Sequence, residues 1–210
     1  MINVSRATAA SVLALSLTGV AACAPVASAP QATGPASPPA TSAPADPGSA
    51  VNPDAVSPEH NGADVQFVTM MVPHHQQALR MAEIVLSKPD LDPQVRQMTE
   101  KIQHEQTPEI ATMQSWLAAW NAGPAMSLEQ AQGMDGLLSP DDLAALERAD
   151  GTTASTLFLQ QMIEHHEGAV SMSQPEIEDG TNPQAQQLAH SIVQSQQQQI
   201  QQMQSMLDRL

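Results

Sequence analysis

The chain has 210 residues and carries 7 Lys and Arg against 22 Asp and Glu, a formal net charge of -15. So acidic a chain repels nucleic-acid phosphates and anionic lipid headgroups while concentrating cations, which excludes a DNA- or RNA-binding role. Aromatic residues make up only 2% with no Tyr, whereas Met occurs 12 times; Met serves either as flexible core filler or as a thioether ligand for soft metals.

Residues 1–22 read as a signal peptide, with Arg6 ahead of the apolar run Ala9 to Ala22. That run is too short and too rich in Ala and Ser for a membrane-spanning helix. It ends in Val20-Ala21-Ala22-Cys23, which resembles a bacterial lipobox, so Cys23 is expected to become the lipidated first residue of an exported, membrane-anchored protein. No other cysteine exists, so the domain forms no internal disulfide and offers no thiolate ligand. Residues 23–60 form an Ala/Pro/Ser-rich segment whose dense prolines predict a disordered, semi-extended tether. Residues 61–210 are the expected folded domain.

Within that domain one unit occurs twice. Phe67, Met71, His74, His75, Ala78 and Met81 recur at constant offset as Phe158, Met162, His165, His166, Ala169 and Met172. Asp92-Pro93 then matches Asn182-Pro183, and Ile102, Gln106, Ile110, Met113 and Leu117 match Ile192, Gln196, Ile200, Met203 and Leu207. The offset shortens by one residue in the turn between the two segments, where deletions are tolerated. Asp or Asn before Pro is a helix cap followed by Pro at the first helical position. Each unit therefore predicts a helical hairpin, with helices at about 63–87, 92–120, 153–174 and 183–209. Ser139-Pro140-Asp141-Asp142 starts a short helix in the connector. Pro175 is expected to end the third long helix, and Pro73 to kink the first by freeing the Thr69 carbonyl. A hairpin cannot bury its apolar stripe alone, so the fold class is all-α, with two repeated hairpins packed as one four-helix bundle.

Residues three and four apart share a helix face, which groups Met71, His74, His75 and Ala78, with Met81 beyond. Met162, His165, His166 and Ala169 group likewise, with Met172 beyond. Adjacent histidines diverge by about 100 degrees, so one can point inward while the other sits at the flank. Imidazole nitrogen with thioether sulfur suits copper, as Cu(I) or Cu(II). The expected metal ligands are thus Met71, His74, His75, Met81, Met162, His165, His166 and Met172. Glu167, His104, Glu105 and His190 rank below them. Half-buried histidines that merely hydrogen-bond across the bundle are the structural alternative.

The doubled pattern Met-x-x-His-His-x-x-Ala-x-x-Met, with Gln106-x-x-Glu109-Ile110-x-x-Met113 after the first copy, resembles the DUF305 family over about Asp64 to Leu210. The resemblance implies a ferritin-like four-helix bundle and exported copper binding, carried to the matching Met and His positions. The connector from Gly123 to Ser139 departs from richer members, having Met126 and Met134 but no His.

A copper-binding lipoprotein that sequesters or delivers the metal is the leading expectation, with a metal ion and the membrane as partners. A metal-free interaction or scaffold module using adaptable Met faces is the alternative, and homo-oligomerisation stays open. Di-iron chemistry wants Glu-x-x-His on two helices. No Glu-x-x-His occurs, no nucleophile constellation stands out, and no enzyme is expected.

Overall fold

The computed structural model describes residues 56–210. The signal peptide, Cys23 and nearly all of the predicted tether lie outside the described residues.

Cap chemistry sets where the helices begin. The Asn61 side chain accepts the N–H groups of Ala63 and Asp64, and the Asp64 carboxylate accepts the Asn61 N–H in return. This reciprocal box opens α1 (Gly62–Leu86). Asp92 and Asn182, each followed by Pro, cap α2 (Pro93–Ala119) and α5 (Pro183–Leu207). Ser139 and Asp142 form a second capping box on the short α3 (Pro140–Arg148). Asp150 caps α4 (Gly151–Asp179). No strand occurs among the described residues, and none of the helices is long and apolar enough to cross a membrane. The two repeated hairpins are therefore α1–α2 and α4–α5, as the sequence predicts.

Pro175 departs from expectation, whereas Pro73 frees the carbonyl it was expected to free. Pro175 does not end its helix, which continues to Asp179. Pro175 and Ser171 are both exposed, so water can take the carbonyl that the ring leaves unpaired. Beyond it, buried Glu176 and half-buried Ile177 hold the last turn on the core. Pro73 does free the Thr69 carbonyl, but the Met126 N–H of the connector takes it at 3.3 Å. Pro108 and His104, whose carbonyl it frees, are exposed to solvent.

Two apolar clusters fill the bundle. One joins Met81 and Val85 of α1, Val95, Met98 and Ile102 of α2, Phe158, Leu159 and Met162 of α4, and Met203 of α5. The other joins Phe67, Met71 and Val72 of α1, Met113 and Leu117 of α2, Ala169 of α4, and Ala185, Ala189 and Ile192 of α5. Thus α1 and α4 run through the clusters in opposite directions, and the hairpins are related by an approximate two-fold axis. Each fully buried Leu, Ile, Met or Phe contributes about 1.5–3 kcal/mol over its exposed state.

At one end of the bundle, buried Asp64 ties α1 to the α4–α5 turn. It accepts the N–H groups of Thr181 and Asn182, the latter at 2.9 Å. Burial works against its ionisation, but the N–H donors at Asn61, Asn182 and Thr181, with the Glu176 carboxyl beside them, hold its pKa below the usual value. Glu176 beside it is 1% exposed. Burial, then the neighbouring Asp64 side chain and its charge, push the Glu176 pKa to about 8, although neither Glu176 oxygen reaches hydrogen-bond geometry. The folded state therefore keeps a proton that the unfolded chain releases above about pH 4.5. The associated stability is complete below that pH and drains as pH climbs to about 8. Glu176→Gln, which cannot ionise, is expected to flatten the decline in urea midpoint between pH 5 and 8 relative to wild type. Identical slopes for the two proteins would refute this assignment.

Candidate metal centre

Between the two apolar clusters lies a polar layer built from the repeated histidines. His74, His75, His165 and His166 are each 0% exposed. Neither hairpin leaves a histidine at its flank, contrary to the expected inward and flanking split. The divergence of about 100 degrees between neighbours instead sends one histidine to each of two interfaces. His74 and His165 meet between α1 and α4, with ring centroids 3.7 Å apart and planes tilted by 40°. His75 faces α2, where its Nε2 lies 2.9 Å from Glu109 Oε2. His166 faces α5, where its Nε2 lies 2.5 Å from Gln199 Oε1.

The partners fix the tautomers. The His74 carbonyl can only accept, so His165 Nε2 donates to it at 3.0 Å. The Glu109 carboxylate likewise accepts a hydrogen bond from His75 Nε2–H. Gln199 donates its amide to the Glu105 carboxylate at 2.5 Å, which leaves Gln199 Oε1 as the acceptor for His166 Nε2. Three rings therefore carry hydrogen on Nε2, which in a neutral imidazole leaves Nδ1 as a bare lone pair. The Nδ1 atoms of His75, His165 and His166 are buried with no hydrogen-bond partner, as are both nitrogens of His74.

Burial also keeps His74, His165 and His166 neutral. It lowers the pKa of His74 far below the usual imidazole range, aided by His75 and His166. The Asp135 backbone pulls weakly the other way without reaching hydrogen-bond geometry. His165 is lowered as strongly, again by burial first and then by His74, His166 and His75. His166 falls to about 4 through burial, with the Gln199 hydrogen bond opposing and His75 adding to the drop. Neutral imidazoles with free lone pairs need lose no proton before binding a metal.

The methionines sort away from the histidines. Met71 lies in one apolar cluster, while Met81 and Met162 lie in the other, all fully buried. Met172 is half-buried against the cluster that holds Met71. They fill cores on either side of the layer, with Met71 and Met162 one turn from His74 and His165. Glu167, His104 and His190 are exposed, while Glu105 joins the layer through Gln199. His60 is exposed and stacks on Trp120 at 4.9 Å. Among the described residues, no three His, Cys, Asp or Glu side chains gather around a common metal position. The layer supplies imidazole pairs rather than a closed cage.

The connector seals this layer from one side. Gln77 holds Leu138 by both backbone groups, at 2.7 Å to its N–H and 2.9 Å to its carbonyl. Gly136, at φ 78°, lies directly on Gly168; a Cβ added to Gly168 would stand 2.6 Å from the Gly136 Cα. Gly168→Ala is therefore expected to push the connector off α4 and cost about 1–3 kcal/mol, read as a lower urea midpoint. An unchanged midpoint would show that the contact is slack.

Residues 64–207 match the family described as a domain of unknown function, DUF305. Among solved structures, a DUF305 fragment from Deinococcus radiodurans is 34% identical, with a TM-score of 0.64 over 71% of this chain and 98% of that one. A DUF305 protein from Streptomyces coelicolor, provisionally described as secreted, is 33% identical, with a TM-score of 0.64 over 70% and 93%. CopM in its Cu(II)-bound form is 32% identical, with a TM-score of 0.61 over 70% and 96%. CopM has also been solved with Cu(I), with silver and in the apo form. No curated protein matches the chain.

Proposed function

The chain belongs to the DUF305 family, and from that premise we propose that it is an exported, non-enzymatic protein that binds copper in its buried imidazole layer. The observation that carries the reading is the orphaned nitrogens: Nδ1 of all four histidines and Nε2 of His74 lack partners. Each such buried group costs about 1–3 kcal/mol when left unpaired. A structural histidine would be expected to recover that cost by pairing both nitrogens. Fixing one nitrogen on a carboxylate or carbonyl while the other stays bare is the arrangement of metal-ligating histidines. Similarity to CopM, which was solved with Cu(I), Cu(II) and silver, supports copper as the cargo.

His74, His75, His165 and His166 are the proposed ligands. Met71 and Met162, one turn away, are the thioethers nearest to them in sequence, and sulfur favours Cu(I). Met81 and Met172 lie further along their helices and act as packing. Imidazole and thioether donors suit a monovalent ion, and the formal net charge of -15 on the chain draws cations toward it. The rival reading, a metal-free contact module with Met-rich faces, has less to work with: Met71, Met81, Met98, Met113, Met162 and Met203 are inside, while Met70, Met126, Met134, Met172 and Met206 are half-buried.

Titration of the full chain with Cu(I) against a competing chelator tests the reading. Changing His74, His75, His165 and His166 together to Gln is expected to lower affinity at least about a hundredfold, equivalent to about 2.7 kcal/mol. Circular dichroism would verify that the variant still folds. Equal affinity in the folded variant would end the proposal. Anchoring by lipid at Cys23 is proposed alongside it, and Cys23→Ala is expected to move the exported protein from the membrane to the soluble fraction. Retention of that variant in the membrane would remove the lipid from the account.

A further inference from the structure

The edge of the bundle opposite the connector, between α2 and α5, contains a cavity of about 190 Å3. A water occupies about 30 Å3 in the liquid, so a cation with several waters fits there. Glu105, Gln106 and Glu109 line it from α2, and Ser195, Gln196 and Gln199 line it from α5. Gln106 and Gln196 are 3% and 2% exposed, and the Oε1 atom of each is buried without a donor. They are the same position in the two repeats, so the approximate two-fold axis brings two residues with an unpartnered amide oxygen to one cavity.

The carboxylates at the rim are only partly committed. Glu109 uses Oε2 on His75 and Glu105 uses Oε2 on Gln199. Glu105 Oε1 has only a long, exposed approach from Lys101 Nζ at 3.9 Å. Two carboxylates and two orphaned amide oxygens form a donor set unlike the imidazole layer beside it. Oxygen ligands with room for water suit a hard divalent ion such as Mg2+, Ca2+ or Mn2+.

We infer that the α2–α5 cavity is a binding site for a hard divalent cation, held by Glu105, Glu109 and the amide oxygens of Gln106 and Gln196. The site stands apart from copper binding, because its donors are oxygens and none of the four histidines is a ligand. It is joined to the layer all the same. Glu109 and Gln199 are the groups that orient His75 and His166, so an ion here acts on the atoms that set those rings.

Manganese is the probe, since Mn2+ is the weakest of the first-row divalent ions for nitrogen donors and its free ion is counted directly by electron paramagnetic resonance. The full chain is expected to remove one Mn2+ per molecule from solution. Glu105→Gln with Glu109→Gln should weaken this at least tenfold, and so should Gln106→Met with Gln196→Met, which keeps the shape but removes the oxygens. His74→Asn with His165→Asn should leave it unchanged. The inference fails if wild type binds no Mn2+ at millimolar concentration. It also fails if either cavity variant, folded by circular dichroism, binds as wild type does, because scattered surface carboxylates would then be responsible. Loss in the histidine variant alone would return the ion to the imidazole layer. A chain that binds Mn2+ in this pattern but no copper leaves the cavity site standing and removes only the copper reading.

Discussion

The contact of His74 with His165 across α1 and α4 is the constraint around which the bundle is arranged. It places two neutral imidazoles 3.7 Å apart at the point where an apolar core would be easiest to build. Because the two helices run in opposite directions, the repeat that creates one polar position creates its partner directly across the axis. The result is a core cut in two, with one hydrophobic cluster on each side of a polar plane. Five unpaired imidazole nitrogens at about 1–3 kcal/mol each amount to several kcal/mol of forgone stability. That is a large fraction of the usual margin of 5–15 kcal/mol. Leu or Met at these positions would avoid the cost, so packing alone does not account for the histidines.

The departures from two-fold symmetry follow from a single element. Only one connector joins the hairpins, and it crosses the face of α1 and α4. Where it crosses, equivalent positions have taken complementary roles: Gln77 binds the Leu138 backbone, and Gly168 offers bare backbone on which Gly136 rests. Pro73 belongs to the same adaptation. Its counterpart Glu164 leaves the helix hydrogen bonds intact, whereas Pro73 exposes the Thr69 carbonyl that receives Met126. The differences between the repeats therefore record which face is covered, and they leave the α2–α5 edge as the less closely packed side.

Local chemistry made most of the fold legible. Asp92, Asn182 and Ser139 announce helix starts by capping, and the repeated Phe, Met, His, Ala and Met positions announce two equivalent faces. Pro175 misled because a proline on the solvent face costs one hydrogen bond that water replaces, while the buried Glu176 beyond it keeps the chain helical. The histidine pair misled for a geometric reason. A helix in an isolated hairpin has one buried face, but α1 and α4 are each covered by their own hairpin mate, by one another and by the connector, so both directions of the pair are inside. Grouping Met with His by helical spacing also failed to separate two layers, since a step of one turn along the axis carries a side chain from the polar plane into an apolar cluster. Glu109 stands out in the sequence only within the pattern that resembles the DUF305 family, and Gln199 carries no signal of its own. Their role depends on the rotation of one helix against another, which periodicity along a single helix does not encode.

The donor atoms become softer from the α2–α5 surface inward. Carboxylate oxygens of Glu105 and Glu109 stand at the rim, amides of Gln106, Gln196 and Gln199 lie behind them, and imidazole nitrogens occupy the central plane. Thioethers of Met71 and Met162 follow in the apolar clusters. Electrostatics alone produces part of this order, because ionised carboxylates stay near water while uncharged donors tolerate burial. The consequence for a metal is selective all the same. A hard, strongly hydrated ion finds its preferred oxygens before it must shed its water, and the neutral interior offers little to compensate that loss. A soft monovalent ion loses less hydration on entering and gains nitrogen and sulfur donors there. One gradient of polarity, required for folding in any case, thereby sorts cations by softness with depth.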